Sequence, residues 1–165
     1  MFDGKLKKLA RFLIENGLTI ATAESCTGGL LSSRLTDVSG SSGFVRLNFV
    51  TYANEAKNEV LGVPFEILDT VGAVSAECAE SMAKGLYAKT KCDVGICTTG
   101  IAGPTGGTKE KPVGLVFVGV YYKGNVTVKK ILFPKFLPRK ALKYFFTRSA
   151  ISLAWDVVCA KNLRK

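Results

Sequence analysis

Leu18-Thr19-Ile20-Ala21-Thr22-Ala23 runs directly into Glu24-Ser25-Cys26-Thr27-Gly28-Gly29 and then into Leu30-Leu31. The first six residues form a short apolar run with β-branched members, the signature of a buried strand. The two glycines make a turn, and a helix is predicted from about Leu30 to Asp37. Strand, glycine-bearing turn and helix together open an α/β unit. Upstream, Phe2, Leu6, Leu9 and Leu13 repeat at helical spacing with basic residues on the other face. Asn16-Gly17 should close that helix. Downstream, Ser39-Gly40-Ser41-Ser42-Gly43 reads as a loop and Phe44 to Ala53 as a second strand. Asn54 is expected to cap a short helix that stops near Gly62, before Val63-Pro64. Ser75 should cap a longer one from Ala76 to about Lys91. Asp93 to Thr98 reads as a third strand, followed by the loop Thr99 to Gly107. Val113–Tyr122 and Val126–Phe133 flank Lys123-Gly124-Asn125 as a hairpin. A final helix starts at about Arg139. The expectation is one domain over residues 1–165: an α/β three-layer α/β/α sandwich with a mixed sheet and a late antiparallel hairpin.

Composition narrows the chemistry. The 165 residues are 47% hydrophobic and 22% charged, a globular balance. No run reaches 18 apolar residues, and the start lacks the apolar centre of a signal peptide. A soluble cytoplasmic protein with no membrane partner is expected. Five scattered cysteines without a C-x-x-C pair point to reduced thiols rather than disulfides or zinc. There is no histidine. A Ser-His-Asp or Cys-His site therefore cannot be built from this chain, and lysine, tyrosine and carboxylates remain as proton acceptors. Cys26 has no histidine to activate it and reads as a small buried residue. Net charge is +10, with basic residues near both ends, Lys161, Arg164 and Lys165 among them. Such a balance suits a solvated surface, and it also suits phosphorylated ligands.

Glycine-rich loops at Glu24–Gly29, Ser39–Gly43 and Thr99–Gly107 are natural places for a ligand, since crevices beyond strand ends bind ligands in open α/β sheets. Neither G-x-x-x-x-G-K-[ST] nor G-x-G-x-x-G occurs. The residues alone suggest a phosphate- or nucleotide-binding enzyme and do not name its substrate.

Four blocks carry a more specific resemblance. Thr22-Ala-Glu-Ser-Cys-Thr-Gly-Gly29 is similar to the opening motif of the CinA C-terminal-domain family, the nicotinamide-nucleotide amidohydrolases. Gly40-Ser-Ser-Gly43 with Val50-Thr-Tyr-Ala-Asn-Glu-Ala-Lys57 resembles its second block, and Gly72-Ala-Val-Ser75 its third. Gly100-Ile-Ala-Gly-Pro-Thr-Gly-Gly107 with Lys111-Pro-Val-Gly114 resembles its fourth. The chain departs from the family at Leu47-Asn48, where a glycine usually precedes the phenylalanine. It departs again at Phe136-Leu137-Pro138-Arg139, where the family pattern resembles Phe-x-Gly-Asp-Arg.

The resemblance implies deamidation of nicotinamide mononucleotide to nicotinate mononucleotide and ammonia, by a serine and a lysine without a metal or cofactor. Carried over by position, it implies Ser42, Lys57, Tyr52 and Ser25 as the catalytic set, with Ser42 or Ser25 as attacking group. It implies Arg139 at the substrate; on chemical grounds the nucleotide phosphate needs N–H groups and a cation, which Thr27, Gly28, Gly29 and Arg139 can supply, and Glu24, Gly103, Gly106 and Gly107 complete the expected substrate-binding set. The expected partner is a small-molecule nucleotide. Nucleic acid is not the expected partner, and a homo-oligomer stays open. Two other readings remain: a nucleotide- or nucleic-acid-binding module without turnover, and an amidase for another carboxamide.

Overall fold

The computed structural model describes residues 3–162. Phe2, Arg164, Lys165 and the Lys161 side chain lie outside the described residues. Helix α1 (Asp3–Glu15) leads into strand β1 (Ile20–Glu24), helix α2 (Leu30–Thr36) and strand β2 (Val45–Val50), with a 3-10 turn at Ser41–Gly43 before β2. Helices α3 (Asn54–Leu61), α4 (Phe65–Thr70) and α5 (Ala76–Thr90) follow, then strands β3 (Val94–Gly100), β4 (Leu115–Tyr122) and β5 (Asn125–Leu132) and helix α6 (Arg139–Asn162).

The five strands form one mixed sheet in the order β2-β1-β3-β4-β5. β1 runs parallel to both of its neighbours, with Ile20 opposite Val94 and Glu24 opposite Thr98. β4 and β5 are antiparallel additions, in register from Leu115 opposite Leu132 to Tyr122 opposite Asn125. Side chains alternate along each strand, so the sheet feeds two cores. Ile20, Val94, Ile96, Val116, Val118 and Val120 pack with α1, α2 and α6. Ala21, Ala23, Cys97, Leu115 and Phe117 pack with Leu61 of α3, Leu68 of α4 and Met82 of α5. The anticipated three-layer sandwich with its late hairpin is therefore the fold.

Details differ at element ends. The hairpin loop has two residues, because Asn125 already pairs with Tyr122. Lys123 (φ 48) and Gly124 (φ 77) both take positive φ, as a two-residue turn matching strand twist requires. Ala53, in extended conformation, is the cap of α3, and Asn54 is its first helical residue. The sequence reading missed α4: Gly62 ends α3 in the left-handed conformation, and Pro64 opens another helix. Ser75 caps α5 as expected, accepting from the Cys78 N–H at 3.1 Å.

β1 is where the chain reverses its direction of travel across the sheet. After β1 it crosses one face through α2 to reach β2, and then returns over the other face through α3, α4 and α5 to reach β3. A crevice beyond the carboxyl ends of strands is expected at such a point.

Candidate functional site

At that end of the sheet lies a cavity of about 340 Å³. Ser25 and Cys26 after β1, Tyr52 after β2, Lys57 on α3 and Arg139 at the head of α6 line it, with backbone from Gly100 to Gly106. Its size falls within the range of small-molecule sites.

Lys57 is 1% exposed. Its Nζ lies 3.2 Å from Ser25 Oγ, 3.0 Å from the Thr51 carbonyl and 3.1 Å from the Tyr52 carbonyl. α3 holds it there because the chain turns sharply after β2, where the Thr51 N–H binds the Glu24 carbonyl at 2.8 Å. Burial pushes the Lys57 amine below its ordinary value, against smaller opposing effects from Cys78, Cys26 and Glu55. The partners fix what the amine can do. As an ammonium it donates to all three. As a neutral amine it keeps two hydrogens for the two carbonyls, and its lone pair then faces the serine hydroxyl, which becomes the donor. That is the arrangement of a general base beside a nucleophile.

Ser42 is not part of this site. It sits exposed in the turn before β2, at the pole where β1 and β2 begin. The six residues of β2 separate it from Thr51 and Lys57, roughly 20 Å of extended chain. The loop Ser39–Gly43 follows a helix, not a strand, so the crevice argument never applied to it. Of the two serines left open, Ser25 is the one the structure brings to Lys57.

Glu24 is fully buried and turned away from the cavity. Its carboxylate accepts from the N–H groups of Gly29 (3.0 Å), Leu31 (3.0 Å) and Ser32 (2.7 Å), and from the Ser32 hydroxyl. It caps α2 from within the sheet, which corrects its assignment to substrate. The expectation that N–H groups at Gly28 and Gly29 are available to a phosphate is corrected on the same ground. Gly28 N–H donates to the Ser25 carbonyl at 3.1 Å, and Gly29 N–H is held by Glu24. The Thr27 side chain is buried, paired with Thr98 Oγ1 at 2.8 Å. The backbone N–H groups of Cys26 and Thr27, by contrast, meet no carbonyl or carboxylate among the described residues.

The remaining expected residues divide. Tyr52 is 61% exposed, and its hydroxyl accepts from Arg139 at 3.0 Å rather than meeting Ser25. Arg139 also donates to the Gly103 carbonyl at 2.6 Å, bridging the loop after β3 to the segment after β2. Gly103 and Gly106 line the cavity. Gly107 does not: its backbone packs against Val113, leaving no room for a Cβ. Burial pushes the Cys26 thiol up to about 12, so it is protonated at neutral pH. Among the described residues no cluster of three Cys, Asp or Glu could hold a metal ion. No helix among them is long and apolar enough to cross a membrane.

The sequence reading passed over several lining residues. Asn54, Thr99 and Thr105 face the cavity, as do Ala73 and Val74 of the third motif block. Thr99 Oγ1 donates to the Ala73 carbonyl at 2.7 Å and fixes that block against the end of β3. That block joins α4 to α5 rather than following a strand, so the strand-end argument did not reach it.

Comparison with known proteins places the chain in a family. The CinA C-terminal domain family matches residues 4–158. A CinA-like protein of Dictyoglomus turgidum is 50% identical over 123 residues, covering 74% of this chain and 30% of that protein. The chain thus spans about a third of the length of the curated relatives it matches. The crystal structure of competence/damage inducible protein CihA from Agrobacterium tumefaciens superposes with a TM-score of 0.85 at 41% identity, covering 93% of this chain and 95% of that one. A competence-damaged protein (CinA) superfamily protein from Klebsiella pneumoniae superposes with a TM-score of 0.90 at 30% identity, covering 97% and 99%. This chain belongs to the CinA C-terminal domain family.

Proposed function

We propose that this chain hydrolyses the carboxamide of nicotinamide mononucleotide to nicotinate mononucleotide and ammonia, with Ser25 as nucleophile and Lys57 as base. The observation that carries the reading is the buried 3.2 Å contact between Lys57 Nζ and Ser25 Oγ in a chain without histidine. Neutral Lys57 takes the Ser25 proton as Oγ attacks the amide carbon. The tetrahedral oxyanion is met by N–H groups that no carbonyl or carboxylate takes, those of Cys26 and Thr27 being nearest in sequence to the nucleophile. The C–N bond then breaks, Lys57 returns the proton to the departing nitrogen, and ammonia leaves behind a serine ester. Water, deprotonated by the same amine, attacks that ester. Its C–O bond breaks, the acid is released and Ser25 regains its proton. Tyr52 and Arg139 form the wall opposite and orient the nucleotide. No step calls on a metal.

The test is ammonia release from nicotinamide mononucleotide, with and without chelator. Wild type should turn over in both conditions. Ser25→Ala and Lys57→Met should lose activity by a factor on the order of 10³ or more while keeping their circular dichroism. Ser42→Ala should match wild type. Full activity in Ser25→Ala, or loss confined to Ser42→Ala, would overturn the assignment.

A further inference from the structure

A second cavity, of about 430 Å³, opens between α1 and α6 and shares no lining residue with the one that holds Ser25 and Lys57. Gly4 of α1 leaves room there: a Cβ built on it would meet no atom within 4 Å. Across from it, Tyr144, Thr147, Arg148 and Ile151 follow at the spacing that puts them on one face of α6. The described residues that line this cavity include four cations, Lys5 and Lys8 of α1, Arg34 of α2 and Arg148 of α6, and no carboxylate. Two of the cations are held in place by acids outside the lining, Lys5 by Asp156 and Arg34 by Asp37, each at 2.7 Å. Thr147 is an independent observation. It is 2% exposed, yet its Oγ1 meets no hydrogen-bond partner among the described residues. Helical threonines can return the hydroxyl to the carbonyl one turn back, as Thr36, Thr70 and Thr90 do here. Thr147 does not. A buried hydroxyl left unpaired destabilises a fold, and an acceptor in the adjoining cavity relieves that cost.

We infer that this cavity is a second binding site, for a small organic phosphate carrying two or more negative charges. Phosphate oxygens accept from every kind of donor on its wall: guanidinium, ammonium and hydroxyl. The volume is that of a small-molecule site rather than of a single ion. Leu6 and Ile151, both buried, give the carbon skeleton an apolar floor. The basic residues near the start of the chain, which the hydrolytic site does not use, thereby acquire a ligand. The site is separate from the cavity at the carboxyl ends of the strands, and it stands whether or not Ser25 and Lys57 hydrolyse a carboxamide.

Titration calorimetry with ADP, in buffer containing chelator, tests this. Wild type should bind ADP and not adenosine. Lys8→Glu and Arg148→Glu should each weaken ADP by about 10-fold or more, the size of one charge-assisted hydrogen bond. Two controls should match wild type: Lys89→Glu, which changes the net charge equally on α5 across the sheet, and Arg139→Gln at the other cavity. Thr147→Val adds a readout that a merely structural residue would not give. Without ligand its melting temperature should rise, because the hydroxyl it removes is unpaired, while its affinity for ADP should fall about 3- to 10-fold. A lower melting temperature in Thr147→Val with unchanged ADP affinity overturns the site. So does a wild type that fails to bind ADP, an equal loss in Lys89→Glu, or binding that depends on Arg139 instead of Lys8 and Arg148. Salt-dependent binding of a DNA duplex of about 20 base pairs without affinity for ADP would also overturn it, and would make these basic helices a nucleic-acid surface.

Discussion

A lysine that serves as a base must be neutral when substrate arrives, and at Lys57 burial sets the direction. The amine is held below its ordinary value because desolvation penalises the charged form. The active form is the deprotonated one, so kcat/KM should rise with pH through the Lys57 value and level off above it. That midpoint should fall below about 10.4, where a free lysine titrates. Lys57→Arg should abolish the rise, since a guanidinium stays charged throughout. A midpoint at the free-lysine value would exclude a buried Lys57 as the titrating base. Sequence reached the two partners through different routes. The lack of histidine pointed to a lysine base, and family resemblance pointed to Lys57 and to two serines. Choosing between the serines needed distance. Gly40-Ser-Ser-Gly43 and Glu24-Ser-Cys-Thr-Gly-Gly29 are both serine-bearing glycine turns, and only chain direction shows that one lies where strands begin and the other where they end.

Elements hold these residues in place through two contacts that substitution can probe. The first is the Glu24 carboxylate, which accepts four hydrogen bonds from the first turn of α2 and so sets the turn carrying Ser25. Glu24→Gln puts an NH2 group against at least one donor. Hydrogen bonds to a charged group are worth about 1.5–3 kcal/mol each, so the variant should lose about 2–3 kcal/mol in urea unfolding, with an unchanged m-value. The second contact is the crossing of α3 and α5. An added Cβ at Gly85 would overlap the backbone carbonyl oxygen of Leu61, the last residue of α3. Alanine is favoured over glycine in a helix by about 1 kcal/mol, but overpacking against backbone costs about 1–3 kcal/mol and decides the sign here. Gly85→Ala should therefore destabilise the protein and lower turnover, since α3 carries Lys57. Gly4→Ala in α1, where no atom lies within 4 Å of the new Cβ, should be neutral or stabilising. Opposite signs at the two glycines, read from denaturation midpoints, are the expected result. Capping and stop residues located both helices of this crossing but not how closely they approach. Periodicity also passed over α4, whose six residues are too short to display a repeat.

Across the whole molecule, the two cores enclose thiols on both faces of the sheet, and this fixes how the fold responds to alkali. Burial pushes Cys26 and Cys97 up to about 12, Cys78 up to about 11, and Cys92 up as well. In the unfolded chain each thiol titrates near 8.5. Between that value and the folded one, the unfolded state has released protons that the folded state retains. Stability then falls as pH rises, by up to about 1.4 kcal/mol per thiol for each pH unit. Lys57 acts in the opposite sense. Its folded value is lowered, so the cost of burying its charge is relieved as pH rises from that value toward about 10.4. Four thiols against one amine leave a net loss. The urea midpoint should therefore decline from about pH 8.5 toward pH 10. Cys97→Ala, which removes one of the most deeply buried thiols along with its 3.0 Å hydrogen bond to the Ala79 carbonyl, should lower the midpoint at neutral pH yet shallow the alkaline slope. Slope and offset separate the two effects: lost packing shifts the whole curve, and only a lost titration changes its steepness. An alkaline slope identical in wild type and Cys97→Ala would mean that this thiol ionises as readily in the folded protein as in the unfolded chain, and the tight packing of the sheet against α5 at that position would have to be abandoned.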